Sequence, residues 1–177
     1  KAIKHEASVN PVETLQEQLR VEMLKLNERK TNIEKLNGQI RTFSDKVDGI
    51  KAKYGAGDPS YVKLSADLAE LRKIHKHRCA KWNEAREELD KFEDAIARGN
   101  MIWEAAQAAA AARETSGLTE DEFFAKLRTE TAFDSIQNKY NEALASLDTA
   151  MLDEPAKESA AAVPADPEFT KLLNKQL

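Results

Sequence analysis

The segment from residue 75 to residue 79, with the sequence HKHRC, holds the side chains best suited to ligate a soft metal ion. His75 and Cys79 stand four residues apart, so on a helix they share one face and offer two zinc ligands. His77 lies almost opposite, and a closed site needs further ligands from elsewhere in the chain or from a second subunit. The simpler interpretation is that His75 and Arg78 interrupt an apolar stripe beside a small residue, Cys79. We favour it and expect no metal site.

Positive charge is concentrated in the same stretch. Residues 72–81 carry five basic side chains and no acidic one. Such a patch can contact anionic lipid or an acidic partner surface. At helical spacing its members wrap around the cylinder, so the simpler interpretation is a solvated surface balanced by carboxylates of another helix. The candidate partner-binding residues of this patch are Arg72, Lys73, Lys76 and Lys81.

The last ten residues, 168–177, regain an apolar pattern after a stretch rich in alanine and proline, 153–167. Phe169, Leu172 and Leu173 stand at positions i, i+3 and i+4, which is typical of a short helix that binds in a groove. The alternative is an ordinary frayed terminus that carries three apolar residues. Neither interpretation is favoured over the other; as a binding peptide, it is expected to dock on a protein partner, another copy of the chain or its own helical bundle.

Motifs for catalysis are missing from the sequence. It contains no Gly-rich phosphate loop, no His-Glu-x-x-His and no Gly-x-Ser-x-Gly. Three histidines and many carboxylates do not form a catalytic site without a concave pocket, which a coiled-coil hairpin rarely offers. We therefore expect no enzyme, no catalytic residue, no cofactor and no small-molecule substrate.

Composition favours long helices. Charged residues make up 33% of the 177 and aromatic residues only 6%, with 6 Gly and 5 Pro. The mild net charge of −4, with acids and bases interspersed, disfavours nucleic acid as a partner. A lone cysteine and the lack of a run of 18 apolar residues predict a cytoplasmic, reducing location. The first residue is Lys1 rather than Met, so the location also depends on whether a signal or transit peptide has been removed from the chain.

Two long helices are predicted from apolar stripes. Asn-Pro at residues 10–11 favours a helix start, and apolar residues then recur every three or four positions up to residue 54. Lys30 fills one expected apolar position. Gly, Asp and Pro within residues 55–60 end this helix and open the next, whose stripe runs over 61–103. His75 and Arg78 interrupt the second stripe.

A connector of about five residues makes two such helices antiparallel neighbours. Residues whose numbers sum to about 115 then face each other, and apolar meets apolar at nearly every layer. The predicted layers pair Tyr54 with Tyr61, Val47 with Leu68, Ile33 with Trp82 and Met23 with Phe92. The polar residues in the stripes, Lys30, His75 and Arg78, are predicted to set the register of the pair, or else to extend their charged ends into solvent.

A third helix is predicted after the Ala-rich stretch 105–112 and a capping box at 119–122. Its apolar residues extend to Met151, and it is expected to pack back on the second helix as a three-helix base. The predicted fold is thus all-α: a long antiparallel coiled-coil helical hairpin with this base and a flexible C-terminal tail. The predicted segments are an N-terminal tail over 1–10, the hairpin and bundle over 11–152, a linker over 153–167 and an amphipathic peptide over 168–177.

These features predict a non-enzymatic structural or adaptor protein that mediates protein–protein assembly, as a scaffold or spacer. The alternative is a peripheral membrane-associated helical protein that oligomerises on anionic lipid. In layout alone, a long hairpin followed by a shorter helix and a mobile tail is similar to phage-shock and ESCRT-III-like proteins. It is also similar to the V-shaped helical arms of Bro1-type adaptors. That likeness implies assembly on a surface or a partner and transfers no site residue.

The predicted register can be tested by disulfide crosslinking. Cysteines introduced at Val47 and Leu68 are expected to crosslink within one chain under mild oxidation, because the two positions face each other in the predicted pair. A pair at Val47 and Leu89 is expected not to crosslink. Non-reducing electrophoresis distinguishes the two, and the opposite result would replace the hairpin with an extended or exchanged arrangement.

Overall fold

The computed structural model describes residues 10–152, and this part of the chain is helical without a strand. Its four helices confirm the predicted all-α class. The linker 153–167 and the peptide 168–177 lie outside the described residues, as do residues 1–9. The helices are α1 (Pro11–Tyr54), α2 (Pro59–Arg113), α3 (Glu120–Thr131) and α4 (Phe133–Leu152).

The two long helices begin where the sequence predicts. The Asn10 Oδ1 atom accepts a hydrogen bond from the backbone N of Val12 at 3.0 Å, which caps α1. The Asp58 Oδ1 atom accepts from the backbone N atoms of Ser60 and Tyr61 at 3.0 and 3.2 Å, which caps α2. These side chains satisfy N–H groups that a helix start otherwise leaves without an intrahelical partner.

The connector between α1 and α2 depends on one left-handed glycine. Gly55 has a φ of +90°, and its N–H donates to the carbonyl of Lys51 at 2.8 Å. Glycine adopts this conformation without steric cost, so α1 ends here. The predicted layer of Tyr54 with Tyr61 is not a buried one. Tyr54 has 61% of its surface exposed, and the Lys51 ammonium lies 5.8 Å from the Tyr61 ring centroid.

The predicted single third helix is wrong, because the chain bends at Ala132 between α3 and α4. Ala132 has φ 52° and ψ 39°, a left-handed conformation that interrupts the helix. The sequence carries a signal for this: the apolar spacing jumps to six residues between Leu127 and Phe133, where a continuous helix needs three or four. The bend keeps both Leu127 and Phe133 buried, at 0% and 4% exposure.

The described chain divides into two compact units. The first contains residues 10–26 and 84–143 and the second contains residues 27–83 and 144–152. In the second unit, α1 and α2 share an apolar cluster that includes the predicted partners Val47 and Leu68. The other buried members of this cluster are Ile40, Phe43 and Leu64.

The first unit is built around aromatic contacts. The rings of Phe92 on α2 and Phe133 on α4 are 5.5 Å apart between centroids. Trp103 on α2 meets Phe123 on α3 edge to face at 5.7 Å, a favoured arrangement for aromatic pairs. Gly99 lies between these positions on α2, and a Cβ there would come within 3.2 Å of Phe123. The small residue therefore allows α3 to approach α2 closely.

The bend offers a test of backbone strain. Ala132→Gly is expected to raise the free energy of unfolding by about 1 kcal/mol, because glycine removes the steric cost of a Cβ in the left-handed region. The matched control is Ala125→Gly, at an exposed position inside α3, which is expected to lower it by about 1 kcal/mol. Urea unfolding followed by circular dichroism measures both. Equal destabilisation by the two changes would show that the bend is unstrained.

Candidate functional site

The predicted register residue Lys30 lies on the surface of α1. Its ammonium stands 5.5 Å from the centroid of the Trp82 ring, in cation–π contact. Within residues 10–152 no polar or charged residue is buried. Lys30 therefore stays at the exposed surface, with its charge next to the Trp82 ring. The predicted role in setting the register stays a prediction.

Arg78, the second of these residues, contacts the C-terminus of α4. Its Nε donates to the carbonyl of Ala150 at 3.2 Å, and its Nη2 donates to the carbonyl of Met151 at 3.4 Å. The last carbonyls of a helix have no intrahelical donor and carry partial negative charge, so a guanidinium there is favourable. Arg78 thus fixes the end of α4, a role that the apolar stripe of α2 does not reveal.

A second arginine holds the same helix end. Arg29 on α1 donates from Nε to Oδ1 of Asp148 at 2.9 Å and from Nη2 to Oδ2 at 3.2 Å. This fork geometry is the stronger form of an arginine–carboxylate pair. Sequence reasoning missed it because the partners are 119 residues apart and no local pattern links them.

His75 and Cys79 are brought together as their spacing predicts. The Cys79 Sγ lies 3.6 Å from Nε2 and 3.9 Å from Nδ1 of His75. Burial raises the pKa of the Cys79 thiol, so the thiol is less reactive at neutral pH than a free cysteine. Among the described residues, no group of three His, Cys, Asp or Glu side chains is arranged to hold a metal ion.

The basic residues of 72–81 differ in their partners and in their exposure. Arg72 donates from Nη2 to the hydroxyl of Ser44 on α1 at 3.2 Å, while Lys73 pairs with Glu70 on its own helix at 3.2 Å. Lys76 is exposed and Lys81 is half-buried. The charge of Lys73 is thus balanced by a carboxylate of its own helix, and not by a carboxylate of another helix as predicted. Phe169, Leu172 and Leu173 lie outside the described residues.

An open groove lies between α2 and α3 in the first unit. It encloses about 420 Å³. Arg98 on α2 forms a salt bridge with Glu130 on α3 at 3.2 Å and borders the groove with Lys126. Met101 borders it with 62% of its surface exposed. The other α2 residues that line the groove are Ile102, Ala105, Ala106 and Ala109. The low side-chain volume of the Ala-rich stretch can be seen in the sequence, whereas the apolar spacing gives Met101 no role.

The hold on α4 yields a stability test. Arg78→Met is expected to lower the free energy of unfolding by about 1–2 kcal/mol, because the last carbonyls of α4 lose a charged donor. Amide exchange should accelerate most in the last turn of α4. Lys76→Met removes the same charge from an exposed position of α2 and is expected to change stability by less than about 0.5 kcal/mol. Equal changes in the free energy of unfolding for the two substitutions would show that Arg78 does not stabilise the end of α4.

Comparisons with known protein families, with curated proteins and with solved structures find no match to the chain. Within residues 10–152, no helix combines the length and the apolar character needed to cross a bilayer.

Proposed function

We propose that the chain is a non-enzymatic adaptor that mediates protein–protein assembly, as a scaffold or spacer in a larger complex. The observation that carries the proposal is the groove between α2 and α3, where Met101 keeps 62% of its surface in water. Apolar surface rimmed by polar residues is stabilised when another protein surface covers it. An amphipathic helix is the natural occupant of a groove between two helices.

The chemistry of the groove favours such an occupant. The methyl side chains of Ala105, Ala106 and Ala109 keep its α2 wall low, so a helix can come close to the α2 backbone. Methionine is unbranched and polarizable, so Met101 adapts its shape to a partner. The charged rim, Arg98 with Glu130, then supplies orientation rather than most of the binding energy.

The finer architecture belongs to the same proposal. We propose that α1 and α2 pair as an antiparallel coiled coil in the second unit, supported by the shared cluster of Val47 with Leu68 and by the hydrogen bond from Arg72 to Ser44. In the first unit, the contact of Phe92 with Phe133 supports a helical base. The peptide around Phe169 is proposed as a tethered binding element, and a reducing, cytoplasmic location suits the free thiol of the chain.

A second candidate is the peripheral membrane protein that oligomerises on anionic lipid. The exposed basic side chains of Arg72 and Lys76 on α2 favour it, because stretch 72–81 contains no acid. Lys73 of that stretch is already paired with Glu70. The open groove therefore supports the adaptor more strongly than this stretch supports a membrane role.

Light scattering tests the assembly role on the full chain, on a chain ending at Met151 and on the variant Met101→Gln. We expect the full chain to form an oligomer and the shortened chain to lose it. Met101→Gln should weaken self-association about tenfold, since replacing a central apolar contact by a polar amide costs more than about 1 kcal/mol. Leu24→Gln, at a position with 55% exposure on α1, is the matched control and should leave the mass unchanged. One identical monomeric mass for all four proteins would contradict self-assembly.

A further inference from the structure

A second concave feature lies in the other unit, between α1 and α2. It is open to solvent and its volume is about 250 Å³, whereas one water needs roughly 10–15 Å³ of such space, so it has room for a larger group. Most of its lining residues carry hydrogen-bond donors. The donor side chains that line it are Asn37, Arg41 and Ser44 from α1 and Arg72 and His75 from α2.

The two guanidinium groups are available to a ligand. Within residues 10–152, neither Arg41 nor Arg72 forms a salt bridge, and the hydrogen bond of Arg72 goes to the neutral hydroxyl of Ser44. Because that hydroxyl accepts from Arg72, its own hydrogen is left to donate. Arg72 and Ser44 therefore present N–H and O–H donors side by side from the two facing helices.

The charge of the cavity selects the sign of its ligand. Asp45 is its one acidic member, against the two guanidinium groups of Arg41 and Arg72, so the lining is net positive. Ile40, with 6% exposure, adds an apolar surface that cannot solvate an ion. A cation is repelled here, and a neutral ligand leaves the two charges unused.

We propose that this cavity binds a phosphate group, as the free anion or as a phosphomonoester carried by a lipid headgroup. Guanidinium forks match phosphate oxygens in geometry, and charge-assisted bonds of this kind are about twice as strong as neutral ones. A phosphomonoester offers three terminal oxygens and a charge near −2, which suits donors converging from α1 and α2. A carboxylate has two oxygens and satisfies fewer of them. The proposal is independent of the adaptor function, because it uses neither the groove at Met101 nor the C-terminal peptide.

Titration of the full chain with inorganic phosphate, at constant ionic strength set by chloride, tests the site. We expect a saturable rise in melting temperature, because a ligand that binds only the folded state stabilises it. Arg41→Gln and Arg72→Gln should each weaken binding about tenfold, the equivalent of one charge-assisted hydrogen bond. Lys46→Gln on α1 and Lys73→Gln on α2 remove the same charge outside the cavity and should stay within about twofold.

Vesicle sedimentation separates the two sources of phosphate. One set of vesicles carries phosphatidylinositol 4-phosphate and the other carries phosphatidylserine at equal surface charge. Binding to the first set that is lost in Arg41→Gln and Arg72→Gln assigns the site to a headgroup. Saturation by inorganic phosphate without such vesicle binding assigns it to a free anion. The proposal is overturned if neither probe binds, or if the two arginine variants behave like Lys46→Gln and Lys73→Gln.

Discussion

Covering the apolar stripes of α1 and α2 is the interaction on which each unit depends, because long helices of this composition are not stabilised by propensity alone. The stripes are narrow, and within the described residues the buried side chains are all aliphatic or aromatic. In the second unit the cover is mutual, through the cluster that joins Val47 of α1 to Leu64 and Leu68 of α2. In the first unit α3 and α4 add cover through Phe123 and Phe133.

The shorter helices are positioned by a few specific contacts on top of that apolar burial. Gly99 removes the Cβ that would meet Phe123, and so allows α3 to lie close to α2. The bend at Ala132 lets both α3 and α4 bury their apolar faces despite the irregular spacing between them. Arg78 and Arg29 then hold the end of α4 through its carbonyls and through Asp148. These contacts fix the positions of α3 and α4, which the apolar stripes alone do not specify.

The two candidate sites lie where helices meet without closing the space between them. The groove beside Met101 is apolar with alanine on one wall, which suits the surface of a protein. The cavity between Arg41 and Arg72 is donor-rich and net positive, which suits an oxyanion. Their chemistry differs because α2 is lined with alanine near residue 105 and with basic side chains near residue 72.

The sequence by itself determined the helical class, the starts of α1 and α2 and the break at Gly55, because caps, glycine and apolar spacing are local signals. The pairing of Arg29 with Asp148, the carbonyl contacts of Arg78 and the placement of Arg41 and Arg72 at one cavity were decided only by tertiary structure. The physical reason is that the sequence contains many polar and charged residues that could pair with a given charged side chain on a helix surface. Packing of distant helices selects the one partner that comes within reach.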